Sequence, residues 1–191
     1  MAENTAGLRG VSAGETALCT VGQSGTGLTY RGYDIHDLAE KAEFEEVAHL
    51  LVYGHLPTQA ELDAYRERLQ GLRELPVALR EVLERIPASA HPMDVMRTGC
   101  SMLGNLETEA DFSEQDWHID RMLAAFPAII TYWYRYSHQG ERIDTRSDEP
   151  STGGHFLRLL HGATPDPTHV AVMQASLILY AEHEFNASTF T

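Results

Sequence analysis

Basic side chains are scarce in this chain of 191 residues. Fourteen Lys and Arg stand against 28 Asp and Glu, which gives a formal net charge of −14. Such a charge repels polyanions, so it argues against a protein that binds DNA, RNA or anionic membrane surfaces. Cysteine is scarce too, since Cys19 and Cys100 are the only two and form no Cys-x-x-Cys pair. With no signal peptide at the start, we expect a cytoplasmic protein without disulfides.

Long hydrophobic runs are also missing. The most apolar stretch before the end of the chain, residues 124–133, is far too short to cross a bilayer. The glycines of residues 22–27 match neither GxGxxG nor GxxxxGK[ST], and no helix follows them directly. The sequence therefore predicts neither a membrane span nor a phosphate-binding loop.

Ten histidines make a metal site worth testing. His183 begins an HExxH-like pattern, but Ala187 occupies the position of the second ligand. His155, His161 and His169 are six and eight residues apart, offsets that do not share a helix face. No GxSxG elbow supplies a serine nucleophile. We expect no metal and no local nucleophile.

The pattern that remains is helical. Residues 16–21 and 28–33 predict a small β-hairpin, and about eight helices with short connections follow it. The fold class is therefore all-α with a small N-terminal β-hairpin. We divide the chain into an arm with the hairpin, residues 1–33, and a helical unit, residues 34–191. The aromatic end of one long helix, residues 132–136, predicts packing and a cation–π contact by Arg135.

The last stretch of the chain carries the candidate chemistry. Residues 170–181 contain only two polar residues, which predicts a helix buried on nearly all sides. It is expected to run unbroken into His183 and Asn186, where buried polar groups need partners. Those partners are either protein groups around a core histidine or a ligand. For a ligand, His183 can donate to a carbonyl or carboxylate oxygen, and Asn186 adds an amide on the same face.

The residues at this point resemble the citrate synthase family. The matching segments occur in the family's order along the whole chain. They are residues 7–10 (GLRG), 30–35 (YRGYDI), 44–46 (FEE), 54–58 (GHLPT), 91–93 (HPM) and 181–189 (AEHEFNAST). The segments TALCTVG, SHQGER and YAEHEFNASTFT are most similar to the 2-methylcitrate synthase branch of the family.

The resemblance implies an acyltransferase that condenses propionyl-CoA or acetyl-CoA with oxaloacetate and then hydrolyses the thioester. The thioester is a substrate, so no cofactor is expected. The resemblance assigns His183 and Asn186 to the oxaloacetate pocket and Ser188 to orienting a catalytic imidazole. It places Arg9 near the CoA phosphates.

The resemblance places the family's two catalytic histidines and its catalytic aspartate beyond Thr191, so no catalytic residue is assigned. His161 lacks the second glycine and the asparagine of one family motif, and His155 after two glycines lies on the wrong side of the substrate motif. The chain is therefore expected to be the amino-terminal part of the large domain, inactive alone. The alternative is a non-catalytic helical module that binds a dicarboxylate or a partner helix. Family members are dimers, and residues 92–103, with Gly99 and nearby Gly104, are the expected contact.

Overall fold

The computed structural model describes residues 14–22 and 27–185, and within them it is mostly helical. Three strands form an antiparallel sheet in the order β1-β2-β3. They are β1 (Cys19–Thr20), β2 (Thr29–Tyr30) and β3 (Tyr33–Asp34). The helices are α1 (Ile35–Lys41), α2 (Phe44–Tyr53), α3 (Gln59–Gly71), α4 (Val77–Leu83), α5 (Pro92–Leu106), α6 (Gln115–Gln139), α7 (Thr152–His161) and α8 (Pro167–Leu179). A 3-10 turn, Phe112–Glu114, precedes α6. The predicted all-α class is confirmed, and the division after residue 33 stays a prediction.

The small sheet contains the predicted hairpin and one strand more. β1 pairs with β2 so that Cys19 lies opposite Tyr30. Arg31 and Gly32 have positive φ angles of 45° and 89°, the conformation of a two-residue hairpin turn. This turn splits the predicted strand 28–33, so Tyr33 begins β3 and pairs back on Tyr30.

Local signals set most helix ends. The Asp34 carboxylate accepts the His36 N–H at 2.8 Å and starts α1. Thr58 and Glu61 form the predicted capping box of α3. Gly54 ends α2 with φ 92°, a left-handed conformation that glycine adopts at little cost.

The second half of the fold is packed around α6. Its core combines α6 side chains with Leu75 and residues of α4, α5 and α7. Gly99 of α5 lies so close that an added Cβ would be 2.5 Å from Ile129 Cγ2. The predicted close helix contact at Gly99 therefore exists, but it is made within this chain. The expected contact of residues 92–103 with a second copy stays a prediction, and a Cβ added at Gly104 would meet no atom of the described residues outside its own helix within 4 Å.

The α8 helix is not the buried centre that its composition predicts. One side packs on α1, α2 and α7 and buries Gln174 and Ile178. The other side is open, with Val172 at 65% exposure and Leu179 at 49%. The prediction of burial on nearly all sides is wrong for this chain, because no element among residues 14–22 and 27–185 covers the outer side.

The buried carboxylate of Asp120 joins α6 to two other helices. Asp120 is fully buried and accepts the Tyr53 hydroxyl at 2.7 Å and the Tyr65 hydroxyl at 3.0 Å. Arg68 pairs with it at 2.7 Å. Burial and the neighbouring Asp120 raise the pKa of both phenols, so both stay protonated and keep donating. This network connects α2, α3 and α6.

Candidate functional site

His183 lies in a non-helical segment after α8, and its side chain is exposed. The prediction of an unbroken helix through this residue is wrong, because α8 ends at Leu179. The segment therefore presents the histidine to solvent rather than enclosing it in a core.

The other residues predicted for the site fall on parts of the chain that the structure does not describe. Arg9, Asn186 and Ser188 lie outside the described residues, so their predicted roles stay predictions. Thr191 lies outside them too, and the placement of the catalytic histidines and aspartate beyond Thr191 likewise stays a prediction. Of the predicted substrate contacts, the structure thus places His183 alone.

The side chain of Tyr30 bonds to the backbone just after α8 ends, where the Ala181 N–H already donates to the Ile178 carbonyl at 3.2 Å. In a continued helix, the Glu182 N–H would donate to the Ile178 carbonyl four residues earlier. Instead, the Glu182 N–H donates to the Tyr30 hydroxyl at 3.3 Å. That hydroxyl in turn donates to the Ile178 carbonyl at 2.9 Å, and the Glu182 carbonyl lies 3.2 Å from it. The phenol is thus inserted into the helical hydrogen-bond ladder, a known cause of helix interruption.

The thiol of Cys19 occupies a second position in the same ladder, two residues further on. The Glu184 N–H, which would bond to the Tyr180 carbonyl in a helix, donates to Cys19 Sγ at 3.0 Å. The thiol donates to the Glu182 carboxylate at 3.6 Å. Glu184 has a positive φ of 62°, which turns the backbone away from the helix axis.

Both anchoring groups are buried and remain protonated. Tyr30 is 0% exposed and Cys19 is 5% exposed. Burial raises the pKa of the Tyr30 phenol and of the Cys19 thiol, because it disfavours the charged forms. His183 is therefore exposed between two residues whose backbones are held by the small sheet. Sequence reasoning included Tyr30 in a family motif and Cys19 in another, but it assigned neither a role.

A second polar cluster is buried where α7 and α8 pack on α2. Glu45 is fully buried, and its carboxylate accepts the Thr152 N–H at 2.6 Å. The same carboxylate accepts the Gln174 amide at 3.2 Å. A negative charge at the N-terminus of α7 is favourable, because the first N–H groups of a helix point at it. These partners give the cluster a structural role.

His155 is a buried neutral histidine. It is 1% exposed, and Nδ1 lies 2.9 Å from the Ser147 hydroxyl. Burial, with a further contribution from the charge of Arg73, lowers the pKa of His155 to about 3. Such an imidazole is a weak base near neutral pH, so the pair does not support a nucleophilic serine.

One open cleft could be considered for an anionic ligand. Its volume is about 660 Å³, and Arg146 and Arg158 contribute to its lining. Three carboxylates line it as well, and Arg146 is already paired with Asp144 at 3.2 Å. The cleft is therefore a poor match for a dicarboxylate.

Two further features are absent from the part of the chain that the structure describes. Residues 14–22 and 27–185 contain no group of three or more His, Cys, Asp or Glu arranged to hold a metal ion. In those same residues, no helix combines the length and apolar character needed to cross a membrane.

Comparisons with known proteins converge on one group. Residues 7–191 match the family model described as citrate synthase, C-terminal domain. The chain is 71% identical, over 97% of its length, to half of the 2-methylcitrate synthase of Shewanella oneidensis. It is 35% identical to the citrate synthase of Acidithiobacillus ferridurans over 97% of the chain and half of that protein. The chain thus spans about half the length of the curated relatives it matches.

Solved structures give the same result. Citrate synthase from Thermotoga maritima has a TM-score of 0.82 and 33% identity over 96% of this chain and 48% of its own. A ternary complex of carboxymethyl coenzyme A and oxaloacetate with citrate synthase from Thermoplasma acidophilum has a TM-score of 0.86. Its identity is 25%, over 95% of this chain and 48% of its own.

Proposed function

Because the chain belongs to the citrate synthase family, we propose that it forms half of an acyltransferase that condenses propionyl-CoA or acetyl-CoA with oxaloacetate. The observation that carries the proposal is the 71% identity to a 2-methylcitrate synthase, and it favours propionyl-CoA. The CoA thioester is a substrate, so the proposal needs no cofactor.

His183 is the proposed contact to oxaloacetate. It is exposed and lies in a segment held on both sides, which suits a group that must meet a small dicarboxylate from solvent. An imidazole can donate to a carbonyl or carboxylate oxygen. Asn186 and Ser188 are proposed to complete the same pocket, and Arg9 is proposed to lie near the CoA phosphates.

The proposed reaction needs two groups to which no residue of this chain is assigned. A base must remove a proton next to the thioester carbonyl, and a donor must hold the resulting enolate. We propose that these groups come from the half of the relatives that the chain does not match. Each missing acid–base step is worth about 10²–10⁴ in rate, so the 191 residues alone are expected to be inactive.

The test compares the chain with a hybrid enzyme, in which it is joined to the unmatched half of the Shewanella oneidensis protein. Release of CoA thiol from propionyl-CoA and oxaloacetate is expected from the hybrid and not from the chain alone. In the hybrid, His183→Ala should weaken oxaloacetate use by about 2–4 kcal/mol. A charge-assisted hydrogen bond is lost, and the desolvated oxaloacetate oxygen that it bonded is left unpaired. His36→Ala, at an exposed histidine of α1, is the control. Thiol release by the chain alone, or an unchanged oxaloacetate KM with a lower Tm, would contradict the proposal.

We further propose that the protein forms a homodimer in the cytoplasm. Met93 and Leu106 of α5 are exposed large apolar residues, and α8 adds Val172 and Leu179. Exposed apolar side chains of this kind favour association. Sedimentation of the chain should show dimers or larger species, and a compact monomer at high concentration would contradict the proposal.

A further inference from the structure

We propose that Tyr30 and Cys19 are positioning residues for His183. Their side chains replace the helical hydrogen bonds on either side of the His183 position and hold His183 outside α8, where it meets its ligand. The inference rests on the proposed function for the identity of that ligand, oxaloacetate. Its structural part depends only on the geometry of the described residues.

The two anchors act on matched pairs of backbone groups. Glu182 N and Ile178 O are four residues apart, and so are Glu184 N and the Tyr180 carbonyl. These are the pairs that would bond if α8 continued. The Tyr30 hydroxyl joins the first pair as acceptor and donor at 3.3 Å and 2.9 Å. Cys19 Sγ accepts a hydrogen bond from the donor of the second pair, the Glu184 N–H, at 3.0 Å.

The amino acid type matters at both positions. A hydroxyl can accept from Glu182 and donate to Ile178 at once, which a phenyl ring cannot do. Without it, the Glu182 N–H loses its acceptor and the Ile178 carbonyl keeps only the Ala181 N–H at 3.2 Å, so the direct bond from Glu182 to Ile178 becomes the favourable alternative. The local sequence permits that alternative, because residues 170–181 contain neither glycine nor proline up to the break.

The position of His183 depends on which alternative forms. In a continued helix, His183 would lie one turn beyond Leu179, on the same exposed apolar side. In the structure, Glu184 adopts a left-handed φ and both neighbours of His183 are anchored to the sheet. A histidine held on both sides loses less freedom when it binds a ligand, which favours affinity.

The first experiment needs no catalytic activity. Backbone NMR of the 191-residue chain should give non-helical Cα shifts at Glu182, His183 and Glu184. Tyr30→Phe should move these shifts toward helical values, because the direct bond from Glu182 to Ile178 then forms. Tyr33→Phe is the matched control, since Tyr33 is in the same sheet, 44% exposed, and its hydroxyl makes no hydrogen bond to the described residues. Unchanged shifts in a folded Tyr30→Phe chain would overturn the proposal.

The second anchor provides an independent variant. Cys19→Ala should accelerate hydrogen exchange of the Glu184 amide by about threefold to tenfold, because one hydrogen bond of ordinary strength is lost. Cys19→Ser, which keeps an acceptor, should restore part of the protection. Cys100→Ala is the control, since the only hydrogen bond of its thiol to the described residues is a weak one to Met122 Sδ at 3.9 Å. If Tyr30→Phe does not fold, this series decides the question, and equal exchange in all variants refutes it.

Kinetics of the hybrid enzyme then separate positioning from general stability. Tyr30→Phe should raise the KM for oxaloacetate about threefold to tenfold and leave the KM for the acyl-CoA unchanged. Equal increases in both constants would contradict a role at His183. If the NMR shifts move as expected but oxaloacetate does not perturb the His183 ring resonances in the unaltered hybrid, the proposed function fails while the anchoring stands.

Discussion

The helices α6 and α8 have similar apolar stretches but very different surroundings. Helices α3, α4, α5 and α7 contact α6, whereas α8 contacts α1, α2 and α7 on one side. The buried residues of α6 are Asp120, Arg121, Ala124, Ala125, Pro127, Ala128, Ile129, Thr131, Tyr132 and Trp133. Those of α8 are Gln174 and Ile178. Apolar composition therefore predicts that a helix forms, but its neighbours decide how much of it is buried.

The largest expected difference comes from removing one aliphatic side chain from each helix. Ile129→Ala should lower the free energy of unfolding by about 2–5 kcal/mol, because Ile129 is 0% exposed and leaves a cavity. Val172→Ala should change it by about 0.5 kcal/mol or less, because Val172 is 65% exposed. Urea unfolding of both variants measures the contrast. A comparable loss for Val172→Ala would show that α8 is covered in solution.

A second test probes the tight packing on α6. Gly99→Ala should destabilise the chain by about 1–3 kcal/mol, because the new Cβ would lie 2.5 Å from Ile129 Cγ2. Gly104→Ala in the same helix should stabilise it by about 0.5–1 kcal/mol, since alanine favours helix and nothing lies within 4 Å of that site. Thermal unfolding of the pair should therefore give shifts of opposite sign. Two stabilising substitutions would mean that the α5–α6 contact is looser than described.

The smallest expected effect is the pH dependence of the stability that Glu84 gives to the packing around α6. Glu84 accepts the Tyr132 hydroxyl of α6 at 2.7 Å and binds Arg142 at 2.7 Å. The bond from Arg142, and to a smaller extent the bond from Tyr132, lower the pKa of Glu84 from 4.5 to about 2. The unfolded state then binds more protons between these values, so the stabilisation is complete above about pH 4.5 and is lost as pH falls through about 2.

Glu84→Gln tests this pH dependence. It should cost about 1 kcal/mol at about pH 7, given the partial exposure of the ion pair, and should make stability fall less steeply as the medium is acidified. Val172 of α8 is 65% exposed and neither titrates nor forms a side-chain hydrogen bond, so Val172→Ala is a suitable control for the acid slope. Urea unfolding at about pH 7 and about pH 3 gives the measurement, and an unchanged slope in Glu84→Gln would contradict the assignment.

The sequence predicted best those features that depend on neighbouring residues. The capping box of Thr58 and Glu61 and the glycine at the end of α2 involve groups within a few positions of each other, and both are confirmed. Gly99 was also informative, because a missing side chain on an otherwise large helix face indicates a close neighbour. The fold class followed from these local signals and from the family motifs.

Features that depend on distant residues were missed. The backbone after α8 is held by Tyr30, which lies 148 residues before its partner Ile178, so no local signal marks this contact. The predicted cation–π contact of Arg135 is wrong for the same reason. Arg142 lies over the Tyr136 ring at 5.1 Å, while Arg135 donates to the Leu160 carbonyl at 3.0 Å. Of the candidate site, the sequence supplied His183 itself but not the groups that hold it.

Glu45 has a consequence for the synthesis of the chain on the ribosome. Its partners Thr152 and Gln174 follow it by 107 and 129 residues. At about 5–20 residues per second, translation exposes this carboxylate to water for on the order of ten seconds before Gln174 exists. During that time the Glu45 carboxylate lacks both of these hydrogen-bond donors, so its burial is unfavourable. We therefore expect the first helices made to be among the last to reach their final packing.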